Sequence, residues 1–504
     1  MPEINANLPR NWMSAPLGDV VDILDFQRRP INSEEREKRP GNVPYFGATG
    51  QVGWIDDYLF DEELVLLGED GAPFLDPVKS KAYLIRGKSW VNNHAHVLKG
   101  RCGISNRFLM YQLNQVDYRR FVSGTTRLKL PQAPMKQIPL VVAPEPEQFR
   151  IVAEIEKQFT RLESGLVALK RVQANLKRYR AAVLKAAVEG RLVPSEAELA
   201  RREGRSYEPA GELLARIVTQ PLLAVPKKAQ AGVPVQLEAE HIEPASPDAT
   251  RLSRLPEGWT CAPLKLIADL KGGLTKGQKR KPTDRVRHVP YLRVANVQRG
   301  YLDLVEVKTI EATEDEIADL ELLPGDVLFN EGGDRDKLGR GWVWDGQIKE
   351  CIHQNHVFRA RLNSERMLPK FLSWYGNSAG QRYFNDEGKQ TTNLASLNMT
   401  KLGRLPVPIP PAVEQERIVA EVDRRLSVID ELEMQVEANL KRAERLRQAI
   451  LKRAFEGRLV PQDPNDEPAS MLLERIRHTK LPETVVNSKR WKKAALAADS
   501  PPQV

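Results

Sequence analysis

The chain of 504 residues is 41% apolar and 28% charged, ordinary globular material with room for two or more domains. It holds no run of 18 apolar residues, and its opening, MPEINANLPRNW, has no charged-then-apolar leader, so neither a membrane span nor export is expected. Three widely separated cysteines (Cys102, Cys261, Cys351) fit a reducing cytoplasm better than a disulfide framework, and a net charge of +9 favours a polyanionic partner such as nucleic acid.

The first block, residues 1–145, carries short strand-like runs, LVLLG (64–68) and AYLIRG (82–87). Turn signals break them at Phe46-Gly47-Ala48-Thr49-Gly50 and Glu69-Asp70-Gly71, and the mixture predicts an α+β module. Two stretches have the chemistry to meet a polyanion such as nucleic acid. FQRRPINSEEREKRP (26–40) offers Arg28 and Arg29, then Arg36, Lys38 and Arg39, though glutamates dilute them. SGTTRLKL (123–130) offers Thr125, Arg127 and Lys129 among small hydroxyl donors. A solvated charge run and a structural turn are the plainer readings of the two.

Residues 146–190 read as one long helix. Ile155, Phe159, Leu162, Leu166 and Leu169 alternate spacings of four and three, the seam of a coiled coil, which then slips by one residue and resumes at Val172, Leu176, Tyr179, Val183 and Ala186. Gly190 stands where a helix C-cap belongs. At about 1.5 Å per residue such a helix is a rod of roughly 65 Å. Residues 191–254 read as a helical extension followed by a linker rich in Pro and Ala over residues 219–253.

The second block, 255–411, has the same α+β texture, with DVLFN (326–330), a turn at Glu331-Gly332-Gly333 and helix-like residues 370–384. Its basic candidate is LKGGLTKGQKRKPTDRVRH (270–288), with Lys271, Lys276, Lys279, Arg280, Lys281, Arg285 and Arg287 on a Gly-rich segment. KQTTNLASL (389–397) adds Thr391, Thr392 and Asn393. Residues 412–457 predict a second long helix, its seam running through Val422, Leu426, Ile429, Val436, Leu440, Leu446 and Ile450. Residues 458–504 form a C-terminal extension whose end, from Lys489, is expected to be disordered.

These elements repeat. EGRLVP stands at 189–194 and again at 456–461, and EQFRIVAEIE at 147–156 is echoed by EQERIVAEVD at 414–423, both offset by 267 positions. LPRNW (8–12) is answered by LPEGW (255–259), offset by 247, and EPAGELLARI (208–217) by EPASMLLERI (467–476). The reading is an internal tandem duplication: two variable α+β blocks alternating with two near-constant long helices. Paired antiparallel, the helices would relate the blocks by an approximate two-fold axis and act as a ruler between them.

EQxRIVxxIE, then ANLKRYRAAVLKAAVEGRLV (174–193) and EANLKRAERLRQAILKRAFEGRLV (437–460), with YFGATGQVGWIDDYLF (45–60) ahead of them, is similar to the DNA-specificity subunit of type I restriction–modification systems. The likeness runs from Leu8 to about Ile476. It implies a non-catalytic chain whose two blocks are target-recognition domains, each reading one half of a bipartite site in double-stranded DNA, while the helices set the unread spacer. The implied partners are two methyltransferase subunits and two restriction/motor subunits. S-adenosylmethionine, ATP and Mg²⁺ would then belong to those partners, with no cofactor or metal on this chain. Helix flanks such as Phe149, Arg150, Tyr179, Arg417 and Leu446 are candidate methyltransferase contacts.

The chain lacks the signatures that an enzyme of this setting would need. There is no GxxxxGK[ST] phosphate loop and no NPP[FY] or DPP[FY] methyltransferase motif. Asp284 with Glu306-Val307-Lys308 mimics a D…ExK metal site, and YLDLVEVKTI (301–310) reads equally as an alternating solvent-facing strand. His94, His96, His353 and His356 lack a convincing further ligand set and read as satisfied polar or core histidines. Trp12 and Trp259 read as packing anchors. An autonomous DNA-modifying enzyme, or a coiled-coil scaffold that binds no DNA, are the alternatives.

Overall fold

The computed structural model describes residues 8–219, 255–277, 281, 284–333, 337–390 and 395–479. The chain divides into two compact units, one of Met1–Lys170 with Glu437–Val504 and one of Arg171–Val436. Each unit therefore holds one α+β block together with part of each long helix. The linker and the C-terminal end expected from the sequence lie almost wholly outside the described residues.

In the first unit, strand Met13–Pro16 pairs antiparallel with Pro139–Val142, so the two ends of the block are tied together. Between them stand two four-stranded sheets. The first runs in the order Val21–Ile23, Ala95–Gly100, Leu64–Gly68, Ala82–Ile85, and the second in the order Gln51–Ile55, Val43–Phe46, Lys88–Val91, Phe60–Asp61. Strand LVLLG shows no polar alternation because it is covered on both faces. Val65 and Leu67 enter one core cluster, Leu64 and Leu66 another.

The second unit repeats the plan. Thr260–Pro263 pairs antiparallel with Pro406–Ile409, and a sheet runs Ala268–Gly272, Val357–Leu362, Val327–Asn330, Gly341–Val343. Here too the central strand is buried throughout, with Val327 and Phe329 facing one cluster and Leu328 the other. The helix-like residues 370–384 resolve into Pro369–Asn377 and Gly380–Glu387. The tract expected as one alternating strand is two, Tyr301–Leu302 and Lys308–Thr313, with Val305 almost fully exposed between them.

The long helices run Glu145–Val188 and Ala412–Phe455, 44 residues each. Each ends where its repeated glycine adopts a left-handed backbone, Gly190 at φ 66° and Gly457 at φ 67°. In the first unit Ile151, Ile155 and Phe159 pack with Leu451 and Ala454, so early turns of the first helix meet late turns of the second. In the second unit Val183 and Ala187 share a cluster with Ile418 and Val422.

The predicted slip in the first seam does not occur. Val172 and Tyr179 are exposed by 42% and 47%, as is Leu446 on the second helix by 44%. Ile155, Phe159, Leu176 and Val183 are buried, Leu162, Leu166 and Leu169 half-buried, and the strict four-three spacing continues through Gln173 and Arg180. On the second helix Val422, Ile429 and Val436 are buried, Leu426, Leu440 and Ile450 half-buried, and the line passes through Glu433, Ala443 and Arg447. Apolar periodicity cannot see polar residues on a seam, which is why Arg180 and Arg447 escaped it. Arg180 binds Asp430 and Glu433 within the second unit, and Arg447 lies over the Phe159 ring at 4.6 Å within the first.

Candidate nucleic-acid interface

What presents each block is a lock built from the repeated motifs. In the first unit the Trp12 indole donates to Glu147 Oε2 at 2.9 Å, and Glu147 Oε1 accepts from the Gln462 amide. In the second, Trp259 donates to Glu414 Oε1 at 2.8 Å, and Glu414 Oε2 accepts from the Glu196 backbone N–H. The neighbouring Gln148 and Gln415 are buried as well. Each amide donates to the chain entering its helix (Ala143 O, Pro410 O), and each side-chain oxygen accepts from a backbone N–H of its own block (Ser105, Leu368). A Cβ at Gly457 would lie 2.2 Å from the Pro9 ring, and one at Gly190 would lie 2.4 Å from Pro256. The repeated LPxxW, EQxR and EGRLVP thus form one joint in each unit. Both tryptophans are packing anchors. The arginines of EQxR complete the joint, Arg150 binding Asp466 at 2.5 Å and Arg417 binding Glu196 at 2.6 Å.

Away from this joint, four loops of the first block converge. Asn92 N donates to Phe46 O, Glu69 N to His94 O, Gly71 N to Leu128 O and Leu130 N to Glu69 O, stitching residues 46–50, 69–71, 92–94 and 123–130 together. They line an open cleft of about 730 Å³, among whose walls are Gly47, Thr49, Asp70, Asn92, His94 and Arg127. Beneath it lies a charged network. His96 Nδ1 meets Asp25 Oδ2 at 2.6 Å and its Nε2 faces Leu130 O at 2.8 Å. Burial opposes ionisation of Asp25, but the bonds and charge from His96, the Val97 N–H and Arg28 hold its carboxyl below the usual range. Asp25, Glu69 and His96 place oxygen and nitrogen atoms close enough for a metal ion, yet Arg28 already supplies the positive charge, 2.7 Å from Glu69 and 3.3 Å from Asp25.

That placement revises the reading of Arg28, which also donates to Ala95 O at 2.7 Å and is committed inside the fold rather than offered to DNA. Arg29 is exposed. Arg36 and Arg39 lie over the Tyr45 and Trp90 rings at 4.9 and 5.0 Å. In the 123–130 loop Thr125, Arg127 and Lys129 are exposed, with Arg127 on Asp70 at 2.5 Å and Lys129 on Glu69 at 3.3 Å.

In the second block the equivalent turn is held in the same way, Glu331 N donating to His356 O and Leu397 N to Glu331 O. Lys276, Lys281 and Arg285 are exposed. Lys271 is paired with Asp319, and Arg287 is clamped by Glu314 at 2.6 Å and Glu350 at 3.0 Å, whose carboxylates raise its pKa. Lys279, Arg280, Thr391, Thr392 and Asn393 lie outside the described residues. His353 is a core histidine, donating from Nδ1 to Val357 O and pushed down to about 4 by burial. Glu306 of the nuclease-like pattern is exposed beside Lys308, and among the described residues it belongs to no metal-binding cluster. No described helix is long and apolar enough to cross a membrane.

Residues 9–170 match the model of the type I restriction modification DNA specificity domain. The chain is 36% identical over 137 residues to a putative type I restriction enzyme specificity subunit of Haemophilus influenzae, covering 27% of this chain and 34% of that one. It is 23% identical over 507 residues to the EcoKI specificity subunit of Escherichia coli, covering 93% and 96% of the two chains. Among solved structures, the HsdS subunit from Thermoanaerobacter tengcongensis aligns over 91% of this chain and 100% of its own, with a TM-score of 0.51 and 16% identity. A chain from a structural study of complex assembly and conformational transition of the type I R-M system aligns over 90% and 99%, with a TM-score of 0.57 and 15% identity. At those identities the structural likeness is one of fold.

Proposed function

We infer that this chain is a member of the family of type I restriction–modification specificity subunits and the DNA sequence-recognition subunit of such a system. The observation that carries the reading is the near full-length likeness to the EcoKI specificity subunit, together with two similar α+β blocks, each locked to a long helix by the same residues.

On this reading each block reads one half of a bipartite site in double-stranded DNA. The long helices pair as an antiparallel coiled coil that holds the readers apart, an arrangement suited to the local dyad of the duplex. A helix of 44 residues spans about 66 Å, the length of about 19 base pairs. The chain is non-catalytic, acts in the cytoplasm, and docks two methyltransferase subunits and, with them, two restriction/motor subunits. Those partners supply S-adenosylmethionine, ATP and Mg²⁺ chemistry. Exposed Phe149, Tyr179 and Leu446 on the long helices support the docking role, whereas Arg150 and Arg417 are engaged with Asp466 and Glu196 and are better read as parts of the joint.

The test is long-read methylation sequencing of the host genome with the gene intact and deleted. The expected result is a split motif of two short half-sites whose adenine methylation disappears on deletion. An intact, active set of partner subunits with no gene-dependent split motif would sink the reading.

A further inference from the structure

Arg127 is among the residues that line the cleft of the first block. Arg127 sits on the 123–130 loop with its backbone neighbours fixed: Ser123 and Lys129 exchange backbone hydrogen bonds at 2.9 and 2.8 Å, and Leu128 O accepts from Gly71 N at 3.0 Å. The turn closes tightly on itself. Gly124 has φ 97°, and a Cβ there would fall 2.6 Å from Arg127 O.

The guanidinium is aimed by a second residue. Asp70 Oδ1 lies 2.5 Å from Arg127 Nε in an ion pair, while Asp70 Oδ2 lies 3.4 Å from His94 Nδ1, so the carboxylate stands between two partners. Gly71, at φ 74°, gives the room: a Cβ there would stand 3.3 Å from Nε. The closest approach is at Nε, and among the described residues Nη1 and Nη2 make no hydrogen bond, the side chain being 61% exposed. These two groups are the parallel donors of a planar fork, with the Asp70 carboxylate beside it.

A fork of two donors selects its target by chemistry. In the major groove only guanine presents two adjacent acceptors, O6 and N7. Adenine puts an amino donor beside N7, thymine a methyl beside O4, and cytosine an amino donor. A phosphate would also accept the fork, but a phosphate contact needs no neighbouring carboxylate, and exposed Arg29 and Lys129 offer positive charge for it.

We propose that Arg127 reads a guanine in the half-site of the first block, with Asp70 as its positioning residue. This rests on the DNA-recognition function above, and the same experiment separates the two. The deleted gene is restored as wild type, Arg127→Ala, Arg127→Lys or Asp70→Asn, and the methylated motif of each strain is sequenced. The wild type should restore a split motif with a guanine in one half-site. Arg127→Ala should make that one position degenerate, with about a 10- to 100-fold loss of preference for guanine, while the other half-site and the spacer stay unchanged. Asp70→Asn should weaken preference at that same position and no other. If Arg127→Ala abolishes methylation altogether, Arg127→Lys decides, since it keeps the charge and loses the fork. Its motif degenerate at the guanine supports the proposal, and its motif intact identifies a phosphate contact and overturns it. A wild-type motif with no guanine, or an Arg127→Ala motif unchanged at every position, overturns it as well. Failure of the wild type itself to restore any motif strikes the DNA-recognition reading instead.

Discussion

Glu147 and Glu414 occupy matched places in the two joints, and replacing each with glutamine should not have matched effects. Each carboxylate takes an indole N–H on one oxygen. Its other oxygen faces different donors: the Gln462 side-chain amide in the first unit, the Glu196 backbone N–H at 2.8 Å in the second. Glutamine turns one oxygen into an NH₂. Gln462 can rotate its amide and offer oxygen to the new donor, but a backbone N–H cannot, so Glu414→Gln sets donor against donor in a buried site. An unmatched buried donor costs about 1–3 kcal/mol. Burial raises the pKa of both carboxyls, so both substitutions also remove a disfavoured charge, and the difference between the variants isolates the backbone donor. At about 2–4 °C per kcal/mol for a unit of this size, calorimetry should show Glu414→Gln lowering its transition by about 2–12 °C more than Glu147→Gln lowers its own. The sign with pH follows from the same groups. The folded chain holds these protons longer than the unfolded one, so the wild type loses stability as pH rises from 4.5 through the raised values, and the glutamine variants lack that slope. Equal behaviour of the two variants would refute the bond to Glu196.

Gly190→Ala and Gly457→Ala each combine a left-handed backbone with a Cβ 2.4 or 2.2 Å from a proline ring, and should each destabilise by about 2–5 kcal/mol in denaturant titrations. The Asp25 carboxyl is held below its ordinary 3.8, so its contribution is fully present above that value and is lost as pH falls through the folded value. Asp25→Asn should remove that part of the acid limb in urea titrations between about pH 2 and 5. Seven residues inserted at equivalent points of both long helices add about 10 Å, so methylation sequencing should find the spacer altered by about 3 base pairs and both half-sites unchanged. Expressed without partners, the chain should be poorly soluble, since Phe149, Tyr179, Leu446 and Met434 leave apolar surface on the helices; a monodisperse lone chain in light scattering would count against large apolar docking faces.

Much of this architecture is written in local pattern. Runs such as LVLLG and DVLFN name buried strands, because a strand covered on both faces has no polar alternation to lose. The four-three spacing names two long helices, and the letter-for-letter recurrence of EGRLVP, EQxRIV and LPxxW names a repeated unit before any coordinate is known. Tertiary structure decided what those motifs are for. Gly457, at the end of the second helix, packs on Pro9 and Trp12 of the first block, while Gly190 packs on Pro256 and Trp259 of the second. The buried Glu147 and Glu414 at the heart of each joint look in sequence like any charged residue near a helix start. Arg28 and Arg127 are likewise two basic letters in loops, yet one is spent inside a carboxylate network and the other stands largely exposed beside Asp70. Gln173, Arg180 and Arg447 continue seams that apolar periodicity loses. The reason is common to all of these. Periodicity reports which face of an element is apolar, whereas the fate of a charge depends on partners brought close by folding, and here those partners are tens to hundreds of positions away.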